Sequence, residues 1–455
     1  MSLASLLSIA RTALATHQRA IDVTGHNIAN ANTPGYTRQR LELAAEIPLN
    51  TPYGTVGRGV RGIAVFNARD QFLDAAFRRE QGTFSHADTL RSALQRVSGV
   101  LNEPSDTGIG AALDGLWSAF SDLADAPSNG ASRVAVRSAA QLLATRLRDA
   151  DARLTSESVA LRQDFEGTVA RINQLGGEIA DLNRQIVARG GPLETAPDLA
   201  DLRDAKIDEL ATLTQVRVLP RDHGAVAVLT GDAMLVDGAF AQQLETRTLP
   251  GGGLGAGLVG STRLAVLGGG KLQALAELST SGIPGVRAEL DRLAQALVTT
   301  INGIHGAGMT NGGATGIDLF DPAGVTAGTI AVSAAVLADP TNIVTGATAA
   351  SGDNSIALQL AALRDTPFAA LNSDTPGAFY AGVVGSLGSI VRDATQAAEA
   401  SDVVLAGIET QRQSVHGVST DEEMVKLIQQ QQAFSAAARL VVVADEMMQD
   451  VLRMV

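Results

Sequence analysis

The sequence predicts a mainly α-helical protein with inserted β structure, in which heptad helices at the two chain ends pair as a coiled coil. Three patterns carry this prediction. Both chain ends repeat apolar residues in alternating steps of three and four, as in helices that pack along a narrow seam. The interior has long helical periodicities, typical of a long-helix bundle. Residues 214–269 instead alternate valine and leucine with polar residues between DHG, GD and DG turns, which indicates a small β-rich outer domain.

The N-terminal seam continues to residue 28 without an internal proline. Its apolar members are Leu3, Leu7, Ala10, Leu14, Ile21 and Ile28. His17 and Thr24 occupy the other seam positions, and we expect the His17 imidazole to be packed rather than to act as a pH switch. A helix with one narrow apolar stripe needs a partner to bury it.

The N-terminal helix is predicted to end in a sharp corner at NIANANTPGY. The candidate assembly residues of this motif are Asn27, Asn30, Asn32, Thr33, Pro34, Gly35 and Tyr36. Asn30 and Asn32 tolerate left-handed backbone, which suits the end of a helix. Pro34-Gly35 suits the central pair of a type II turn, in which the glycine takes a positive φ.

The C-terminal seam keeps the heptad step to the last residue. Its members are Met424, Leu427, Phe434, Ala438, Val441, Met448 and Leu452, with Gln431, Asp445 and Val455 at the remaining positions. Ser419 or Thr420, three residues ahead of Glu422 or Glu423, predicts a capping box at the start of the helix. Because each terminal seam is too narrow to be buried alone, we expect the two ends to pair with each other.

Helical periodicity also predicts the interior of the chain. Helices are expected at about 70–101, 108–125, 132–189, 198–213, 271–305, 351–363 and 378–415. Strands are expected within 37–66 and 328–345, and GGP at 190–192 is expected to end the longest helix. The predicted domains are a terminal coiled-coil assembly domain (1–36 plus 419–455), a long-helix domain with short strands (37–213 plus 270–418) and the β-rich inserted domain (214–269).

Three local patterns resemble chemical sites but have simpler interpretations. DLADLRDAKIDEL, residues 198–210, carries five carboxylates, yet helical spacing scatters them around a solvated face rather than gathering a metal site. GGGLGAG, residues 251–257, lacks the GK[ST] ending of a phosphate loop and is expected to be a flexible hairpin loop. Trp117 has the helical spacing of a core residue.

Composition and charge argue against several functions. The chain of 455 residues has no cysteine, which removes disulfides and thiol catalysis, and its net charge of −13 argues against nucleic acid and anionic membranes as partners. No catalytic, cofactor-binding or metal-binding residue is predicted, because the six histidines lie far apart and no catalytic motif occurs. No apolar run is long enough to cross a membrane, and no basic residue precedes the first apolar stretch as in a cleaved signal peptide.

Both chain ends resemble the axial proteins of the bacterial flagellum, a family of rod, hook and hook-associated proteins. NIANANTPGYTRQR is similar to the N-terminal signature of that family, and GVSTDEEMVKLIQQQQAFSAAARLVVVADEMMQDVLRMV is similar to the C-terminal one. NEPSDTGIGAALDGLWSAFSDLADAPSN, INQLGGEIADLNRQI, LRDAKIDELATL and GDNSIALQLAAL resemble helical segments of the hook-associated members. QQQAF departs from the family, which commonly has an aromatic residue before the glutamines and a tyrosine after them.

The resemblance implies a structural protein and not an enzyme. It implies an adaptor that joins hook to filament by polymerising through its terminal helices. The implied partners are further copies of the chain, the hook protein, hook-associated protein 3 and a flagellar export chaperone at the C-terminal helix. The implied location is the extracellular flagellum, reached through the flagellar type III apparatus without a cleaved signal peptide. We expect residues 1–35 and 421–455 to be largely mobile in the free monomer and to fold when neighbouring subunits bury their seams.

The sequence leaves alternative functions open. Within the family, the chain could instead be a flagellar hook or distal-rod protein. Outside the family, the alternatives are a free-standing coiled-coil interaction protein and a phosphate-binding enzyme. Formation of rings or tubes on isolated hooks would favour the adaptor over these alternatives.

Overall fold

The computed structural model of the chain describes residues 3–51, 54–189 and 196–454 and is mainly α-helical. The helices are α1 (Leu3–Ala29), α2 (Gln71–Leu101), α3 (Ile109–Asp125), α4 (Gly130–Arg189), α5 (Pro197–Leu213), α6 (Gly270–Glu277), α7 (Ile283–His305), α8 (Ala334–Ala338), α9 (Ser355–Ala362), α10 (Pro376–His416) and α11 (Thr420–Met454). The long helices predicted from periodicity are confirmed to within a few residues. The expected GGP end of α4 and the last seam residue, Val455, lie outside the described residues. None of the described helices is long and apolar enough to span a membrane.

The strands form small antiparallel sheets. They are β1 (Gln39–Ala45), β2 (Leu49–Thr51), β3 (Gly54–Val56), β4 (Val60–Asn67), β5 (Val216–Pro220), β6 (Val226–Thr230), β7 (Ala233–Asp237), β8 (Phe240–Ala241), β9 (Leu244–Thr248) and β10 (Leu254–Leu258). β1 pairs with β4 and β2 with β3, which confirms the hairpin predicted within 37–66. In the inserted segment, β5, β6, β7 and β8 form a four-stranded sheet in that order, and β9 pairs with β10.

α4 is the central element of the hydrophobic core. Its inward side chains Phe165, Ile172 and Leu175 are fully buried, because α3, α5, α7 and strands of the inserted segment pack along its length. Trp117 of α3 is buried in the same core, as its spacing predicts. Buried residues of the inserted strands, such as Leu235, belong to this one cluster, so the β-rich segment and the helices share a core.

Asparagine side chains of α4 hold the inserted strands by their backbone. Asn183 is fully buried, and its amide donates to the carbonyl oxygens of Val226 (2.9 Å) and Gly238 (2.8 Å). Its Oδ1 accepts from the backbone N–H of Val226 at 3.1 Å. Asn173 makes the same kind of pair with Leu244, through 2.8 and 2.7 Å bonds. A buried backbone group without a partner is costly, so these side chains substitute for a neighbouring strand.

The strands predicted within 328–345 are wrong. The segment contains the short helix α8 and a 3-10 turn at Pro340–Asn342, and its extended backbone makes only an isolated bridge between Val332 and Phe320 in the described residues. The Ser333 side chain caps α8 by accepting from the N–H of Val336. Short apolar runs suit either a strand or one helical turn, and the cap decides between them here.

The flexible loop predicted at 251–257 is also wrong in part. Gly251 and Gly252 do form a turn, with φ of +88° and +87°. The rest of the segment is strand β10, in which Leu254 and Ala256 are buried. A Cβ added at Gly253 would lie 2.7 Å from the hydroxyl of Thr280, so the glycines serve close packing rather than mobility.

Replacing Asn183 with alanine should lower the free energy of unfolding by about 1–3 kcal/mol, since buried backbone groups of β6 and the following turn lose their partners. Chemical denaturation followed by circular dichroism measures the change. Gln185→Ala, at an exposed position on the same helix, is the control and should change stability by no more than about 0.5 kcal/mol. Equal unfolding midpoints for the two variants would contradict the role assigned to Asn183.

Candidate assembly site

The two chain ends meet where α1 finishes and α11 begins. The helices lie side by side and antiparallel, because His17 Nδ1 lies 2.7 Å from Gln430 Oε1, whereas Asn27, ten residues later in α1, contacts Glu423, seven residues earlier in α11. The turn after α1, the start of β1 and the end of α10 reach the same place. We call this region the corner site.

The turn itself has the predicted geometry. The N–H of Tyr36 donates to the carbonyl oxygen of Thr33 at 3.2 Å, and Gly35 has a φ of +79°, which confirms the type II turn around Pro34-Gly35. Asn30 closes the helix differently from prediction. Neither it nor Asn32 has a positive φ; instead the Asn30 side chain donates to the carbonyl oxygen of His26 at 3.0 Å.

Asn27 is the hydrogen-bond centre of the corner site. Its Oδ1 accepts from the Tyr36 hydroxyl (2.8 Å) and from the Gln39 N–H (2.9 Å). Its Nδ2 donates to the Gln39 carbonyl oxygen and to Glu423 Oε2, both at 2.9 Å. The side chain is 1% exposed, and these four bonds use its whole donor and acceptor capacity. It therefore joins α1, β1 and α11 at one point.

Glu423 is a buried carboxylate that the sequence patterns identify only as a capping candidate. It is 1% exposed, yet its charge is neutralised by Arg38, whose Nε and Nη2 lie 2.9 and 2.8 Å from Oε1, and by Lys426 at 3.0 Å. The predicted capping box is half formed. Ser419 Oγ accepts from the Glu422 N–H, but the Glu422 carboxylate pairs with Arg38 rather than with the start of the helix.

The predicted solvated face of α5 is wrong. Asp201 and Asp204 are buried, and Asp208 is half-buried. Asp204 lies 2.8 Å from Arg69, and Asp208 lies 2.6 Å from Arg78. These partners come from segments far away in sequence, so helical spacing within α5 does not reveal them.

Asp201 links this ion-pair network to the turn. Its Oδ2 accepts from the N–H of Thr37 at 2.8 Å, and its Oδ1 lies 3.3 Å from Arg69 Nε. Burial raises the pKa of the Asp201 carboxyl to about 6, although Arg69 opposes the shift. Burial also raises the pKa of Tyr36, with nearby carboxylates adding to the effect, so the phenol stays protonated and donates to Asn27.

The end of α10 completes the corner site. Arg412 lies between Asp74 of α2 (2.8 Å) and Asp208 of α5 (2.5 Å). His416 Nε2 accepts from the N–H of Asp70 at 3.0 Å, and its carbonyl oxygen accepts from Arg38. Burial lowers the pKa of His416, which favours the neutral ring that this acceptor role needs.

The N-terminal seam faces inward only in part. Ala10 and Thr24 are buried. Leu3, Leu7, Leu14, His17, Ile21 and Ile28 are half-buried. Thr16, off the predicted seam, is buried too, because its hydroxyl contacts the carbonyl oxygen of Val60 in the β1–β4 hairpin. α1 thus lies between α11 and this hairpin.

The predicted C-terminal seam consists of two rows of residues along α11. In the structure, one of these rows lies one residue earlier in the sequence than predicted. Leu427, Phe434, Ala438 and Val441 are half-buried, but Met424, Gln431, Asp445, Met448 and Leu452 are exposed. The other inward row is instead Glu423, Gln430, Ala437 and Ala444, of which three are buried and Gln430 binds His17. Apolar residues occupy two adjacent stripes of α11, so sequence alone does not choose between them. The small side chains of Ala437 and Ala444 allow α11 to pack closely against α1.

Comparisons with known proteins match three parts of the chain to families of flagellar proteins. Residues 94–320 match the family described as flagellar hook-associated protein FlgK helical domain. Residues 7–37 match the flagella basal body rod protein family, and residues 409–454 match the flagellar basal body rod FlgEFG protein C-terminal family. The terminal matches cover α1 from residue 7 onward, the turn that follows it and all of α11.

Individual relatives are similar along most of the chain. Flagellar hook-associated protein 1 of Bacillus subtilis (strain 168) is 29% identical over 98% of this chain and 97% of its own length. The protein of that name from Salmonella typhimurium is 27% identical over 70% of this chain and 59% of its own length. The flagellar hook junction protein FlgK from Burkholderia pseudomallei has a similar fold, with a TM-score of 0.66 at 16% identity, over 75% of this chain and all of that one.

Replacing Asp201 with asparagine should change how stability depends on pH. A carboxyl whose pKa is raised from 3.8 to about 6 on folding contributes stability that is fully present below pH 3.8 and is lost as the pH rises through 6. The difference in melting temperature between the unchanged protein and Asp201→Asn should therefore be greatest near pH 4 and smaller at pH 7. The corresponding change in the free energy of unfolding is up to about 3 kcal/mol. Calorimetric melting of both proteins between pH 4 and 7 measures this, and parallel profiles would contradict the buried-carboxyl interpretation.

Proposed function

Since the chain belongs to the family of flagellar hook-associated protein 1, we propose that it joins hook to filament as an adaptor that polymerises through its terminal helices. Its role is structural. The observation that supports polymerisation through the terminal helices is the corner site, which joins α1, α11 and α5 through buried polar contacts.

The outer face of α11 supports polymerisation. Its exposed apolar residues are Met424, Val425, Ile428, Leu440, Val442, Val443, Met447, Met448, Val451, Leu452 and Met454. Exposed apolar side chains in this number mark an interaction site, and each one that becomes fully buried contributes roughly 1.5–3 kcal/mol. Neighbouring copies would bury this face and extend the α1–α11 pair into a coiled-coil layer of a ring or tube.

The corner site supplies direction and register. A buried polar group in a helical interface specifies which residues lie opposite each other, because every other register leaves it unpaired. Glu423 meets Asn27 and Arg38 in only one alignment of α11 on α1. Identical subunits assemble regularly only if α1 and α11 pair in the same register in every copy, and this alignment fixes that register.

Further partners follow from the family. The subunit would contact the hook protein on one side and hook-associated protein 3 on the other. It would leave the cell through the flagellar type III apparatus without a cleaved signal and take its place in the extracellular flagellum. Before assembly, the apolar face of α11 is the expected binding site of an export chaperone.

Replacing Gly35 with valine should abolish incorporation at the junction while leaving the helices intact. A Cβ at this position would have only an ordinary 3.9 Å contact with Ala205, so the cost, about 1–3 kcal/mol, comes from the positive φ. Electron microscopy and motility of cells carrying the variant measure incorporation, and circular dichroism checks the helices.

Gly25→Ala is the matched control, since Gly25 lies within α1 and an added Cβ there meets nothing within 4 Å. It should assemble normally. Normal junctions in Gly35→Val cells, or equal loss of junctions in both variants, would refute the role of the turn.

Hydrogen exchange on the dilute monomer tests whether the terminal helices fold on assembly. The α1–α11 interface is rich in alanine and polar residues and buries few large side chains, so it offsets little of the roughly 1–2 kcal/mol per residue lost on ordering. Amides of 3–29 and 420–454 should therefore exchange rapidly beside a protected α4. Strong protection of both ends at low concentration would refute coupled folding.

A further inference from the structure

Asparagine is followed by glycine at three places in the chain, and the three pairs lie in different surroundings. They are Asn129-Gly130, Asn302-Gly303 and Asn311-Gly312. In such a pair the backbone nitrogen of the glycine can attack the side-chain carbonyl carbon (Cγ) of the asparagine, because glycine has no Cβ to hinder the approach. The rate of this attack depends on how freely the two groups can reach each other.

The pair at Asn302 is held inside the fold. Asn302 is 9% exposed, its Nδ2 donates to the carbonyl oxygen of Phe320, and its Oδ1 accepts from the N–H of the same residue, both at 2.9 Å. Gly303 lies within α7, where backbone N–H groups bond to carbonyl oxygens one turn earlier. Attack on Cγ would break the bonds to Phe320 and distort the helix, so this pair is protected.

The pair at Asn129 is held at the start of α4. Asn129 is exposed, but its Oδ1 accepts from the N–H of Ala131 at 2.9 Å, as a capping side chain does. Gly130 is the first residue of α4. Formation of a bond between Asn129 Cγ and the Gly130 nitrogen would remove the cap and distort the first turn of the helix, so this pair is restrained too.

The pair at Asn311 lies in an exposed turn without these restraints. The N–H of Gly313 donates to the carbonyl oxygen of Thr310 at 2.9 Å, which places Asn311 and Gly312 at the two central positions of a β-turn. Both central residues are exposed. Neither the Asn311 side chain nor the Gly312 N–H makes a hydrogen bond among the described residues, so nothing there holds the two reacting groups apart.

We propose that Asn311 is a site of spontaneous deamidation in the folded chain. The Gly312 nitrogen bonds to Asn311 Cγ and loses its proton, while the side-chain nitrogen leaves as ammonia, which gives a five-membered cyclic imide. Water, the only co-reactant, then opens the ring at either of its carbonyl carbons. One opening leaves aspartate, and the other leaves isoaspartate, in which the backbone continues through the former side chain.

The modification is confined to the surface of the fold. It adds one negative charge to a chain whose net charge is −13, and isoaspartate also lengthens the turn by one backbone carbon. The segments on either side of the turn are held independently, because the N–H of Met309 donates to the carbonyl oxygen of Gly346 (3.0 Å) and that of Gly316 to Gly306 (3.1 Å). The modified chain therefore stays folded, and the modified fraction at Asn311 records the age of the protein.

Peptide mapping by mass spectrometry, after incubation of the full chain at mildly alkaline pH, tests the proposal. Deamidation is expected at Asn311 well ahead of Asn129 and Asn302, with both aspartate and isoaspartate as products. An isoaspartyl methyltransferase detects the second product by methylating its free carboxylate. A sample unfolded in urea should react at all three pairs, because unfolding removes the restraints on Asn129 and Asn302.

Three results would overturn the proposal. The first is reaction at Asn129 or Asn302 as fast as at Asn311 in the folded chain. The second is an unreacted Asn311 in the folded chain beside a reacted one in urea. The third is aspartate without isoaspartate at Asn311, since direct hydrolysis of the amide gives only aspartate.

Gly312→Ala separates the cyclic route from other losses of ammonia. Gly312 has a φ outside the left-handed region, and an added Cβ would lie 3.8 Å from Thr310 Oγ1, an ordinary contact, so the variant should fold normally. Its methyl group hinders attack by the backbone nitrogen, and deamidation at Asn311 should be at least about tenfold slower.

Gly303→Ala is the matched control, because it changes the glycine of a protected pair and an added Cβ there meets nothing within 4 Å. It should leave the rate at Asn311 unchanged. Equal rates at Asn311 in Gly312→Ala and in the unchanged chain would show that the reaction does not pass through the cyclic imide and would overturn the proposal.

Discussion

Burial of one carboxylate, that of Glu423, determines how the chain ends are arranged. A buried charge is tolerated only when partners surround it, and its partners are Asn27 at the end of α1, Arg38 at the start of β1 and Lys426 on its own helix. Loss of one partner of such a group typically costs 3–5 kcal/mol, which is more than any one alanine of the interface contributes. The corner site thus specifies alignment, while apolar packing along α1 and α11 contributes the remaining stability.

The corner site connects the weakly packed α1–α11 pair to the tightly packed helical core around α4. Arg38 contacts α10 through the His416 carbonyl, Thr37 contacts α5 through Asp201, and Arg412 joins α10 to α2 and α5. These contacts come from several elements outside α1 and α11. The direction in which the α1–α11 pair leaves the core therefore does not depend on the pair being fully ordered. This separation fits the proposal that the α1–α11 pair becomes fully ordered only beside neighbouring subunits.

Local patterns predicted the fold better than distant contacts. The type II turn at Pro34-Gly35, the limits of α2 and the start of α4 follow from residues adjacent in sequence, and the structure confirms them. The role of the α5 aspartates could not be predicted, because Arg69, Arg78 and Arg412 reach them from 130 or more residues away. Glu423 was hidden for a related reason: an acidic residue in the first turn of a helix ordinarily indicates capping, and only the folded corner shows it buried.

The rotated seam of α11 has a consequence for assembly. With Ala437 and Ala444 turned toward α1, the larger Met and Val side chains of α11 remain on its outer face. Small residues inside allow α1 and α11 to approach closely, whereas large residues outside retain most of the apolar area for other molecules. An arrangement with the large residues inside would stabilise the lone chain and leave little surface for neighbours. Under the proposed coupling of folding and assembly, this choice of stripe would move stabilisation from the monomer to the assembled state.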